Sequence, residues 1–291
     1  MQAVIRLILA FASLLRVAHS AGEMPGVRAA GSEELAAFYK EHAELPRDGS
    51  GPWIELIGKS GAPNELRRLF SQIASGGFSD EAAIRALNAI SKAAEMRSAR
   101  PTPIRSAAEP VPEVDFQTVA RLLDSPKPKL MAAAARLAGN WKIEDTANRL
   151  AELAESPDGA IRLTAMEALR RIGGKTALTV FAVLARPYQL PETRRRALVS
   201  IAEIQLDAAV VQAAEVLPLI DNEADALETW RGLLKVERAA TAFAVRLPKY
   251  LPPPVLAAGV QAARELGKSG EPLLKALAPL VEASEAKGKR D

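Results

Sequence analysis

The sequence predicts an all-α fold: a right-handed α-solenoid of antiparallel helix pairs, each pair about 31–33 residues long. Three observations carry that expectation. The stretch 156–187, SPDGAIRLTAMEALRRIGGKTALTVFAVLARP, reads as two short amphipathic helices folded back on each other. Similar pairs recur after it and before it at a nearly constant spacing. The composition is 48% hydrophobic but only 4% aromatic across 291 residues, which suits closely packed, alanine-rich helices better than a sandwich or barrel.

Within the central pair, Ser156 is the expected N-cap, Pro157 suits the first helical position and Asp158 complements the positive helix end. Ile161, Ala165, Ala168, Leu169 and Ile172 then share one helical stripe. Gly173-Gly174 ends the helix, since glycine enters the left-handed cap without steric cost. Ala177, Leu178, Phe181, Ala182 and Ala185 form the second stripe, which stops before Pro187. Such a hairpin cannot bury both apolar faces alone and must stack on its neighbours.

Taken in order, residues 1–20 read as a secretory signal peptide: Arg6, then an apolar run over 7–15, then Ala18-His19-Ser20 with small residues at the cleavage positions. That run is too short to cross a bilayer, which takes about 20 residues, and no other segment is long and apolar enough, so no transmembrane anchor is expected. Residues 21–31 form a linker and 32–97 an N-terminal helical region with one repeat-like unit. Its helices are expected over 32–44, 53–57, 64–74 and from Ser79 to about Met96. Residues 98–115 hold four prolines and no helical stripe, an exposed connection. The array proper spans 116–283, followed by a charged, frayed tail over 284–291.

The array's register rests on small residues that superimpose: Ala134, Ala165, Ala197, Thr229 and Ala262, at steps of 31, 32, 32 and 33 residues. Each is followed three and four positions later by a pair: Leu137-Ala138, Ala168-Leu169, Ser200-Ile201, Gly232-Leu233 and Glu265-Leu266. A second apolar helix follows each, over 147–153, 178–184, 210–219, 239–247 and 273–281. An earlier copy, Ala86 with Ala89-Ile90, precedes Ala134 by 48 residues, one period plus the proline-rich insertion.

Two helices per 31–33 residues, with Ile161-Arg162-x-x-Ala165-x-x-Ala168-Leu169 and Arg194-x-x-Ala197-x-x-Ser200-Ile201, resemble HEAT repeats, particularly the short phycobilisome-lyase-type form. Met131, Ala226 and Gly259 stand where the other units would carry the arginine. The tetratricopeptide signature is absent despite its similar period. An exported HEAT segment with Pro52-Trp53 near its start also resembles the middle region of putative membrane-bound dehydrogenase, haem-binding proteins, without their propeller or cytochrome domains. The HEAT resemblance implies a protein-binding scaffold whose Arg-x-x-Ala helices line the concave face. By position it nominates Arg162, Glu167, Arg170, Arg171, Arg194 and Arg195 as partner contacts.

Chemistry is sparse. With no cysteine, the chain has no disulfides, thiolate metal sites, thiol nucleophile or Cys-x-x-Cys-His haem attachment. Gly58-Lys59-Ser60, Gly174-Lys175-Thr176 and Gly267-Lys268-Ser269 lack the earlier glycine of a phosphate loop, Trp53, Leu169 and Ala262 standing there instead. They are expected to be C-capping glycines, each with a lysine at the negative helix end. His42 is the one histidine beyond the leader and is expected at the surface, which removes histidine-based triads and zinc sites. Asp80-Glu81 and Glu33-Glu34 suit first helical turns without invoking catalysis. Trp230 is expected in the core, and Trp53 and Trp141 are expected to pack at helix junctions.

Removing the leader leaves 36 basic and 35 acidic side chains, and Glu167 and Glu192 interrupt the arginine clusters. A nucleic-acid stripe is therefore not expected. The expected function is a non-enzymatic scaffold in an exported compartment, binding protein along the concave surface and needing no cofactor or metal. The alternatives are a structural spacer or accessory subunit of an envelope redox assembly and, more remotely, a carboxylate-only enzyme.

Overall fold

The structure, a computed structural model, describes residues 34–60, 62–98 and 116–288. The expected leader, the linker and most of the proline-rich connection lie outside the described residues, as do 289–291. The chain divides into two compact units, Met1–Asp115 and Phe116–Asp291. No strand occurs among the described residues.

The first unit contains α1 (34–41), α2 (Trp53–Ser60), α3 (Pro63–Ala74) and α4 (Asp80–Ser98). Asp80 and Glu81 occupy the first turn of α4, where the helix dipole favours acids. Helix α2 lies along α4, and Ala86 is fully buried between its neighbours. Gly58 falls inside α2 and does not cap it. A Cβ there would stand 2.8 Å from Ala89 Cβ and 3.1 Å from the Ala89 carbonyl oxygen, so the missing side chain is what lets the helices touch. The segment before α2 is pinned by Gln72: its Oε1 accepts from the Leu45 amide at 2.9 Å and its Nε2 donates to the Leu45 carbonyl at 2.7 Å. Phe38 stacks between Trp53 and the exposed ring of His42, at 4.6 and 4.5 Å between centroids.

The second unit is an α-solenoid. Helix α5 (Phe116–Leu123) opens it. The first helices of the pairs are α6 (Pro128–Asn140), α8 (Gly159–Ile172), α10 (Pro191–Ile204), α12 (Glu223–Leu234) and α14 (Pro253–Glu265). Their partners are α7 (Ala147–Leu153), α9 (Gly174–Leu184), α11 (Leu206–Val216), α13 (Ala239–Val245) and α15 (Glu271–Gly288). Each first helix packs on the next first helix, so α6, α8, α10, α12 and α14 make one layer, with α5 and the second helices forming the other. The five anchors Ala134, Ala165, Ala197, Thr229 and Ala262 fall one on each first helix, and all are buried. Thr229 is accommodated because its hydroxyl donates to the Asp225 carbonyl at 2.7 Å.

Besides Gly58, two local expectations change. Asp158, not Ser156, caps α8: its Oδ1 accepts from the amides of Ala160 and Ile161, and the helix begins at Gly159. Ser156 instead accepts from the Asp158 amide one step earlier. Helix α15 runs to Gly288, so the charged segment expected to fray over 284–288 is helical. Gly173 does close α8, at φ 70°, with its amide on the Leu169 carbonyl, and Gly267 follows α14 at φ 57°. Trp230 is fully buried, its indole N–H on the Val255 carbonyl at 3.0 Å and its ring edge-on to Phe243.

Candidate functional site

The six charged residues nominated as contacts lie on α8 and α10, and each has an intramolecular partner. Arg162 and Arg194 occupy the same register, three residues before their anchors, and both reach back to the preceding connection. Arg162 Nη1 donates to the Ser156 carbonyl at 2.8 Å. Arg194 Nη1 donates to the carbonyls of Pro187 and Gln189 at 2.7 and 3.3 Å. The motif arginine thus ties α8 and α10 to the chain entering them, satisfying carbonyls that no helix ladder covers.

Glu167, Arg170 and Arg171 form the centre of a network. Glu167 accepts from Arg170 Nη2 at 2.5 Å and Arg170 Nε at 2.8 Å, and from Arg171 Nε at 2.8 Å. Arg170 reaches on to Glu203 of α10, and Arg171 back to Asn140 of α6. Burial raises the Glu167 carboxyl pKa, but the two guanidinium groups outweigh it and hold the acid below its ordinary value. Hydrogen bonding to Glu167, opposed by desolvation, raises Arg170. Glu167 is 43% exposed, so it is a half-buried hub and not the free surface acid its helical position suggested.

Arg195 makes a two-pronged bond to Asp225 of α12, both contacts at 2.8 Å, with only 14% of the arginine side chain exposed. Further along, Arg231 of α12 grips Glu265 of α14 at 2.5 and 2.8 Å. That bond lowers Glu265 and raises Arg231. Every junction of the first-helix layer is therefore crossed by a polar pair: Asn140–Arg171, Arg170–Glu203, Arg195–Asp225 and Arg231–Glu265. Their separations of 31, 33, 30 and 34 residues are each about one repeat. Reading single residues missed Asn140, Glu203, Asp225, Arg231 and Glu265. Complementary polar groups one period apart are the signal that finds them.

Reactive groupings are sparse. Among the described residues no cluster of three His, Asp or Glu side chains is placed to hold a metal, and no helix is long and apolar enough to cross a membrane. A groove of about 740 Å³ lies between α14 and the end of α15, lined by Leu256, Ala257, Val260, Arg264, Val281 and Glu285. Among the described residues it holds no nucleophile hydrogen-bonded to a base. Residues 117–202, from α5 into α10, match the family described as HEAT repeats. No curated protein and no solved structure matches the chain. Together with the stacked helix pairs, the match supports a HEAT-repeat helical architecture; HEAT repeats generally serve as protein-interaction scaffolds, and that family is typically non-catalytic.

Proposed function

We propose that the protein is a non-enzymatic HEAT-repeat scaffold that binds another protein along the layer built by α6, α8, α10, α12 and α14, in an exported compartment. The observation that carries the reading is the charged ladder crossing that layer at every junction. It presents half-exposed Glu167, Arg170 and Arg171 in fixed positions, so a partner need not order them on binding. Arg162, Arg194 and Arg195 support that face by holding its connections and its next helix. The short repeat length favours the phycobilisome-lyase-type form, and the leader-like residues 1–20 support export.

A second reading has its own observation. All six nominated side chains are satisfied internally, which is what a rigid spacer or accessory subunit of a larger envelope redox assembly requires. Affinity purification from the native envelope fraction separates the two. A partner retained by the wild type and lost when Glu167, Arg170 and Arg171 are all changed to Gln supports the scaffold face. A partner indifferent to that change supports the spacer. N-terminal sequencing of the mature protein tests export: the chain should begin near Ala21, and an intact Met1 in the cytosolic fraction would refute it.

A further inference from the structure

Eight large apolar side chains are exposed among the described residues, and six of them fall in one place in the fold. Val183, Tyr188 and Leu190 lie at and after the end of α9, Leu219 follows α11, and Val245 and Tyr250 lie at and after the end of α13. These are the second-to-first-helix connections of three consecutive repeats, and the alternation of helix direction puts all such connections on one edge of the array. Isolated apolar residues on a surface are ordinary, but a row of them on one edge is not. The two preceding connections on that edge, α5–α6 and α7–α8, carry Ser125, Lys127, Glu155, Ser156 and Asp158 and no exposed large apolar residue.

The exposed residues are held, not loose. Tyr188 is 75% exposed, yet the carbonyls on either side of it, those of Pro187 and Gln189, are both gripped by Arg194. Leu219 precedes buried Ile220, and Tyr250, 62% exposed, precedes buried Leu251. Prolines 187, 191, 218, 248 and 252 stiffen the same connections. Charges flank the row in a pattern: Arg186 at the first connection, Asp221 and Glu223 at the second, Arg246 and Lys249 at the third, all exposed. Arg186, Arg246 and Lys249 form no ion pair among the described residues, in contrast to Arg170, Arg171, Arg195 and Arg231 of the first-helix layer.

We propose that this edge is a second docking surface, fitted to an extended polypeptide segment with apolar anchors and with acidic residues toward both ends. The proposal rests on the scaffold reading for the class of partner, but not for the face that binds it. Neighbouring packed helices are roughly 10 Å apart, so Tyr188 and Tyr250, two repeats apart, are separated by roughly 20 Å. An extended chain covers that distance in about six residues. Rigid, exposed tyrosines supply apolar area at little entropic cost, as binding anchors do. The acidic middle connection argues for a polypeptide and against an anionic lipid surface, which would meet Asp221 and Glu223 unfavourably.

The test uses the full chain and a random displayed library of 12-residue peptides. Enriched peptides should pair Asp or Glu with leucine or aromatic residues, and the Tyr188→Ser, Tyr250→Ser double variant should bind them at least tenfold more weakly by fluorescence anisotropy. An unchanged circular-dichroism melt shows that the double variant is folded, and Val211→Ser, exposed away from the edge, should bind like wild type. Peptides that ignore the tyrosine change but are lost in the Glu167/Arg170/Arg171 triple Gln variant overturn the edge and leave the scaffold reading standing. Tyrosine-dependent co-sedimentation with phosphatidylglycerol vesicles, without peptide enrichment, overturns the polypeptide in favour of a membrane. Absence of both peptide binding and vesicle binding overturns the edge altogether.

Discussion

At Glu167 burial and charge pull in opposite directions, and the charge wins. Two guanidinium groups within 2.8 Å hold the carboxylate ionised below its ordinary pKa of 4.5. The folded pKa is therefore depressed relative to the unfolded chain. Its stabilisation is fully present above pH 4.5 and is lost as the pH falls through the folded value. Because the side chain is 43% exposed, solvent screening keeps the contribution near the surface-pair scale, about 0.5–1 kcal/mol at neutral pH. Glu167→Gln should cost that much at pH 7, and below pH 4.5 its stability should fall less steeply than wild type. Urea melts over that range decide it, and parallel curves would show the carboxylate to be uncoupled. Gly139 is a different kind of hub. A Cβ there would lie 2.6 Å from the Ala168 Cα, and backbone cannot swing aside as a side chain can. Gly139→Ala should cost about 1–3 kcal/mol despite its better helix propensity. Gly159→Ala, whose Cβ would meet only the end of Arg162 at 3.5 Å, should stay within about 0.5 kcal/mol of wild type.

Helix α8 shows how an element is specified at both ends and along one face. Asp158 satisfies two amides at its start, and Asp158→Ala should cost about 1 kcal/mol. Ala165 is fully buried, so Ala165→Leu should overpack it and cost about 1–3 kcal/mol. Equal, small losses for these two variants in urea would mean that α8 is held by neither its cap nor its anchor. The helices and the positions of the anchors were legible from the sequence because period, small residues and glycine caps all report on local geometry. The site was less legible. The pairs Arg170–Glu203 and Arg195–Asp225 depend on which faces of neighbouring repeats meet, and the period of one helix does not state that. Gly58 was misassigned for the same reason: Gly-Lys-Ser looks alike whether the glycine ends a helix or admits Ala89 of another.

Across the second unit the first-helix layer is not uniform, and this has consequences for how it opens. At α6–α8, Gly139 rests on the Ala168 backbone; at α12–α14, Gly259 faces the Trp230 ring, whose N–H is fixed on Val255. Between them, α8–α10 is crossed by Arg170–Glu203, and α10–α12 by Arg195–Asp225 with Gly232 against the Val199 side chain. In a repeat array each unit is stabilised by its own folding and by its immediate interfaces, so damage at one junction stays near it. Arg195→Ala removes the more buried partner of the α10–α12 pair and leaves Asp225 only its bond from Asn222. The expected cost is about 1–2 kcal/mol, between the values for exposed and fully buried pairs. Native-state hydrogen exchange should then show faster opening around α10–α12 and in the repeats beyond, with α5–α8 unchanged, because Gly139 and Ala168 still close their own junction. The same loss of protection in every helix of 116–288 would mean that the unit opens as a single block, and that its junctions are coupled more tightly than nearest-neighbour packing allows.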